Sequence, residues 1–135
     1  LHAQVAYWKF GLGLTLGKIQ KLLQEQHQLR ISTGELSEIL SRAARKYKST
    51  HEQLKDNLKS ESHLHADETG WRESAENRWL WSFSNENISY FQIHSSRGQC
   101  VVKECLGKKY SGVLSSDFYG SYNQIRCSKQ RCWVH

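Results

Sequence analysis

The hydrophobic pattern of this chain changes period at Glu61, and that change limits what it can fold into. Before it, apolar residues recur at spacings of three and four: Leu16, Ile19, Leu22 and Leu23, then Leu36, Ile39, Leu40, Ala43, Ala44, Tyr47, Leu54 and Leu58. Such spacing lines one face of a helix. After it, Trp79, Trp81 and Phe83 alternate with Leu80 and Ser82, the period of two that belongs to a strand. The expectation is therefore a helical segment over residues 1–60 and an α/β (α+β) segment over residues 61–135. A content of 38% hydrophobic and 11% aromatic residues is enough for a packed core and excludes a disordered tail. A length of 135 residues suits one domain or two small ones.

No apolar run approaches the roughly 18–20 residues that cross a bilayer. No basic leader precedes an apolar stretch, so a cytoplasmic protein without membrane association is expected. The chain contains no Met, which reads as a piece of a longer protein. Its closing Trp133-Val134-His135 likewise reads as the middle of a strand.

The helical part begins with Ala3 to Phe10, a short apolar helix broken by Gly11 and Gly13. A second helix runs from about Thr15 to Gln26-His27-Gln28. Ser32 and Glu35 form a capping-box pattern, so a third helix starts there. Its stripe continues to Leu58, which predicts one long helix. Two helices, a short connection and a capped third helix make a helix-turn-helix candidate. A plain helical bundle has the same pattern. Residues 1–60 carry 10 basic against 5 acidic side chains, and residues 61–135 carry 9 against 8. The basic excess of the first part suits a polyanion such as DNA, with Lys18, Arg30, Ser32 and Thr33 as candidate contacts. A solvated basic helix surface is the alternative.

In the second part, His63 to Trp71 reads as a strand and residues 78–94 as a hairpin turning at Asn85-Glu86-Asn87. Ser96 and Gln99 form another capping-box pattern, before a short helix marked by Val101, Val102, Cys105 and Leu106. Gly107 suits its C-terminal end. Ser111 to Asp117 reads as a buried strand, and a last strand is expected near Gln130. A strand–helix–strand crossover makes the strands it joins parallel. Cys100, Cys105, Cys127 and Cys132 fall as Cys-x4-Cys twice, with His135 following. Zinc sites favour tighter pairs, so ordinary thiols are expected. His63 and His65 form a His-x-His pattern that suits metal ligation or the orientation of neighbours. Trp71, Trp79 and Trp81 suit either base stacking or a core, and the core is expected for Trp79 and Trp81.

Two carboxylates stand out. Asp67 lies in or just after the first strand, and Asp117 ends the fourth. Ligands of α/β sheets gather at the C-terminal ends of strands. If those two strands are neighbours, the carboxylates can face one site for a hard divalent cation. Without that pairing, each is a cap or surface group. Arg72, Arg97 and Arg131 suit phosphate contacts or surface ion pairs.

The run His65-Ala66-Asp67-Glu68-Thr69-Gly70-Trp71-Arg72 resembles the first catalytic block of transposases of the insertion sequence 66 family. The resemblance continues through Arg78-Trp79-Leu80-Trp81, Ser95-Ser96-Arg97-Gly98 and Ser111-Gly112-Val113-Leu114-Ser115-Ser116-Asp117-Phe118-Tyr119. It closes with Gln130-Arg131-Cys132-Trp133-Val134-His135. Residues 62–135 are covered well, and residues 1–60 more loosely.

This resemblance implies a ribonuclease-H-like fold with a DDE triad and two Mg²⁺ or Mn²⁺ ions. Asp67 matches the first aspartate and Asp117 the second, both as catalytic residues and metal ligands. Arg72 and Arg97 are the implied DNA contacts of this part. The third acid, a glutamate, lies beyond His135 in the family. Glu68 follows Asp67 directly, and in a strand it points to the opposite face. Glu104 has no motif support.

The implied reaction is hydrolysis at the ends of a mobile element, then attack of the freed 3′-hydroxyl on target DNA. A homo-oligomer is implied for the full-length protein. With one acid missing, the expectation is a transposase fragment inactive alone, with one sheet face left open and a marginal stability. The alternatives are a non-catalytic DNA-binding remnant and a structural helical protein.

Overall fold

In the computed structural model, residues 1–133 are described. Of the strand read over Trp133-Val134-His135, Val134 and His135 lie outside them, and Trp133 is a bend that follows the last strand. The chain divides into two compact units, one of Leu1–Ser49 and one from Thr50 onward.

The first unit is helical. Helix α1 (His2–Ala6) runs into a wider π-helical turn over Tyr7–Gly11, and Gly13 at φ +67 ends it, a conformation that glycine adopts without strain. Thr15 caps α2 (Leu16–His27) by accepting the Lys18 N–H at 3.3 Å, and Gln28 closes it in the left-handed region at φ 54. Ser32 caps α3 (Thr33–Lys46) with a complete capping box: its Oγ accepts the Glu35 N–H at 3.1 Å, and Glu35 accepts the Ser32 N–H at 2.9 Å. Val5, Ile19, Leu23, Leu36 and Ile39 form the core.

The long third helix of the sequence reading is interrupted. Tyr47 leaves helical geometry at φ −95, ψ 8, and α4 (Lys48–Asn57) begins after it. Ala44 and Tyr47 are exposed, so the stripe stops at Ala43. Its last members, Leu54 and Leu58, belong to the other unit's core. The polar run Lys48 to Gln53 separates the two apolar clusters, and no residue of α4 is fully buried.

Ser32→Ala should lower the stability of α3 by about 1 kcal/mol, the usual worth of a lost N-cap. Faster amide exchange at Leu36 is the expected sign, because its N–H bonds to the Ser32 carbonyl at 3.0 Å. Unchanged exchange would refute it. The Ser32 backbone and hydroxyl hold the Glu35 carboxyl below its usual 4.5. The contribution of Glu35 is therefore complete above that value and is lost as pH falls through the lower folded value.

The second unit is built on a five-stranded mixed sheet of order β3-β2-β1-β4-β5. The strands are β1 (His63–Glu73), β2 (Glu76–Ser84), β3 (Ser89–His94), β4 (Lys109–Ser116) and β5 (Arg126–Arg131). The β1–β2 and β2–β3 pairs are antiparallel, and the β1–β4 and β4–β5 pairs are parallel. Strand β2 therefore opposes the other four. Helix α5 (Gln99–Leu106) carries the chain from β3 to β4, and those two strands share a direction as the crossover reading required.

Two local expectations need correction. Ser96 and Gln99 make no capping box: Gly98 is the N-cap of α5, and Ser96 Oγ instead accepts the Gly98 N–H at 2.9 Å in a turn. The last strand starts at Arg126, ahead of Gln130. Alternation sets the burial. Leu64 and Ala66 of β1, Trp81 and Phe83 of β2, Tyr90 of β3 and Leu114 of β4 point to one face, where Val101, Val102, Cys105 and Leu106 of α5 pack. The opposite face carries Asp67, Phe91 and Ile93, the last two 53% and 43% exposed. No helix of this unit covers it among the described residues.

Candidate active site

The site follows from the register of β1 on β4. His63 pairs with Val113, Leu64 with Leu114 and His65 with Ser115. Continuing that register by two residues sets Asp67 level with Asp117, which immediately follows β4. Neighbouring strands lie about 4.8 Å apart, and residues at matched positions share a face. Asp67 and Asp117 thus stand side by side on the uncovered face, at the carboxyl end of β4. They line a shallow cavity of about 220 Å³ with His65, Ser115 and Cys132.

Local hydrogen bonds orient both carboxylates. Asp67 Oδ1 accepts the Glu68 N–H at 2.9 Å, and Asp117 Oδ1 accepts the Tyr119 N–H at 2.9 Å. Neither carboxylate pairs with a cationic side chain among the described residues. The Asp117 backbone is held as well: Arg131 Nη1 donates to the Asp117 carbonyl and to Ser116 Oγ, both at 2.8 Å. Beside the pair, His63 Nε2 lies 2.9 Å from Ser115 Oγ, which donates to Gln130 at 2.9 Å. The two histidines meet edge to face at 4.5 Å. His63 thus serves its neighbours in the sheet.

Two hard carboxylates with no cation beside them fit a divalent ion. Among the described residues no group of three or more His, Cys, Asp or Glu gathers to hold one. Glu68 cannot join them, since it lies on the buried face. The four cysteines are free, and burial pushes the Cys105 thiol up to about 11, so it is an inert core thiol.

The remaining candidates lie elsewhere. Lys18, Arg30, Ser32 and Thr33 are exposed in the first unit. Arg72 is exposed on β1, opposite Asn77 near the tip of the β1–β2 hairpin. Arg97 is engaged within the fold: it donates to Glu68 and stacks between Trp79 and Tyr119, with ring centroids 4.5 and 4.1 Å away. Trp81 is fully buried and Trp79 packs on the core, whereas Trp71 is 46% exposed.

The sequence reading did not foresee that Arg131 and the Tyr119 amide hold Asp117, nor that Tyr122 bonds to Glu68. Glu68 carried a signal, because a charged residue in phase with Leu64 and Ala66 is buried and needs partners.

A mixed sheet flanked by helices defines the chain as an α/β protein, and its paired aspartates lie beyond the carboxyl end of an interior strand, where ligands of such sheets commonly gather. The chain belongs to the IS66 transposase family: the sequence profile described as "Transposase IS66 family" matches residues 1–135, its whole length. No curated protein matches it. Membership gives the chain a transposase-related function and suggests DNA as its partner. No helix among the described residues is long and apolar enough to cross a membrane.

Proposed function

We propose that this chain supplies the first two acids of a DDE site that cuts and joins DNA on a ribonuclease-H-like sheet. The observation that carries the reading is the level placement of Asp67 and Asp117 on the uncovered face. Their carboxylates are the donors that would hold Mg²⁺ or Mn²⁺. A bound ion of this kind would supply Lewis-acid activation of an attacking hydroxyl and neutralisation of charge at phosphorus.

The residues of this chain do the positioning. Asp67 is fixed by a central strand, and Asp117 by the Tyr119 amide and by the Arg131 bond to its carbonyl. Both proposed steps, hydrolysis at an element end and strand transfer, are in-line displacements, so placement carries much of the catalysis. A complete site needs a third carboxylate and a second ion. The exposed Lys18, Arg30, Ser32, Thr33 and Arg72 are proposed to contact DNA, by a helix-turn-helix in the case of the first four. Arg97 is proposed as a DNA contact less directly, because its guanidinium is already engaged. Action in the cytoplasm and assembly into a homo-oligomer belong to the same proposal.

Mn²⁺ calorimetry on the chain and on an Asp67→Ala, Asp117→Ala variant tests the reading. Binding by the chain and loss of binding in the variant is expected. Equal binding in both, or none in either, would overturn it. The second result would favour a non-catalytic DNA-binding protein, a reading that draws on the lack of a third carboxylate beside the pair among the described residues.

A further inference from the structure

We propose that Glu68, Arg97 and Tyr122 form a positioning network that locks the loop after Asp117 onto β1 and so sets Asp117 against Asp67. The inference rests on the metal-site reading above and adds three residues to it.

Glu68 follows Asp67 but points into the opposite face, where its side chain is 1% exposed. There it meets two partners from distant segments. Arg97, on the loop before α5, donates from Nε to Glu68 Oε1 at 3.0 Å, and its Nη2 forms an ion pair with the same oxygen at 2.9 Å. The Tyr122 hydroxyl, from the turn after Asp117, donates to Oε2. Both carboxylate oxygens are therefore used, as a buried charge requires.

The same loop also grips Arg97 at two points. Tyr119 stacks on its guanidinium at 4.1 Å, and Ser121 Oγ donates to its carbonyl at 2.8 Å. Trp79 closes the other side of the guanidinium at 4.5 Å and pairs across the sheet with Gly70 of β1. Asp117 is thus bounded by β4 on one side and, within five residues, by a turn tied to the residue next to Asp67. The Tyr119 amide that orients Asp117 Oδ1 belongs to the residue whose ring rests on Arg97. A shift of this turn moves the carboxylate.

An apolar group at position 68 would fill the face without the cost of burying a charge. The charged, three-armed arrangement ties segments in a way that apolar packing does not. Outer partners of this kind orient the groups that bind a metal.

The test uses Tyr122→Phe, which keeps the ring and removes the hydroxyl, and Arg97→Lys, which keeps the charge and loses the planar fork. Amide exchange at Tyr119 should quicken by about fivefold for one lost hydrogen bond, with the sheet amides of Leu64 and Leu114 unchanged. Mn²⁺ affinity should fall by about 10–100-fold in variants that still unfold in one cooperative transition, at a midpoint lowered by the lost bond to a buried charge. If Tyr122→Phe loosens the whole sheet, Arg97→Lys decides by the same readouts. Unchanged Tyr119 exchange in the folded variants would overturn the proposal, whether or not the metal binds. Failure of the parent chain to bind Mn²⁺ would sink the metal reading alone. Quickened Tyr119 exchange with full Mn²⁺ affinity would leave a structural clamp and refute the positioning role.

Discussion

Trp81→Ala is expected to remove about 3–5 kcal/mol of stability, the cost of deleting a buried aromatic ring and leaving its cavity. Trp81 is fully buried at the middle of β2. Its ring lies parallel to Phe83 at 6.3 Å and meets Tyr122 edge-on at 6.0 Å. Its Nε1–H donates to the Ser96 carbonyl at 3.1 Å, so truncation also leaves that carbonyl unpartnered. Domains of this size hold about 5–15 kcal/mol in total, and the loss takes a large share of it. Trp81→Phe should fall in between, because it keeps a ring but loses the N–H. Trp71→Ala is the control, since an exposed substitution away from special contacts usually stays within about 0.5 kcal/mol. Urea unfolding followed by near-ultraviolet circular dichroism measures all three. Equal midpoints for Trp81→Ala and Trp71→Ala would contradict this account of the core.

Trp81 also shows why parts of this unit were legible in the sequence. Its alternation with Phe83 gave β2, and the Asn85 turn gave the hairpin to β3: Asn85 Oδ1 accepts the N–H groups of Asn87 and Ile88 at 2.8 and 2.9 Å, the role that makes Asn a turn residue. The β1–β2 hairpin gave no such sign. It turns at Ser74 and Ala75, with φ of 49 and 66, where tight hairpins favour Asn and Gly. Strand β5 was equally hard to read, because Arg126 to Arg131 offers only Cys127 to the core. The long helix failed for a different reason. A continuous 3.6-residue period cannot report that its two ends serve separate cores.

The candidate site was legible in its residues and hidden in its geometry. Asp67 and Asp117 were named from strand ends and resemblance, but their meeting depends on the β1–β4 pairing, which no local pattern encodes. Arg97 shows the converse. Its charge suggested a phosphate contact, while the groups that engage it come from Glu68, Trp79 and Tyr119, far away in sequence. Charge can be counted from a sequence, but the partner of a charge is a property of the fold.

Gly112→Ala tests the pairing that brings the aspartates together. Gly112 lies on β4 just before Val113, whose N–H donates to the Ser62 carbonyl at 2.9 Å where the chain enters β1. A Cβ at Gly112 would fall 2.6 Å from the carbonyl oxygens of both Glu61 and Ser62, and 2.5 Å from the Tyr110 hydroxyl. Tyr110 cannot swing aside freely, because its hydroxyl donates to the Glu61 carbonyl at 2.7 Å. Two of the three contacts are backbone, so the added methyl must push β1 and β4 apart at the start of their shared register. Overpacking of this kind costs about 1–3 kcal/mol. Gly70→Ala is the matched control, on β1 with nothing within 4 Å of the new Cβ. It should stay within about 0.5 kcal/mol of the parent, or gain slightly from lost backbone freedom. If β1–β4 spacing sets the carboxylate pair, Gly112→Ala should also weaken Mn²⁺ binding, although its methyl lies five residues from Asp117 and touches neither acid. Equal stability of the two alanine variants would mean that the strands can yield there, and that their close approach is not what holds the register.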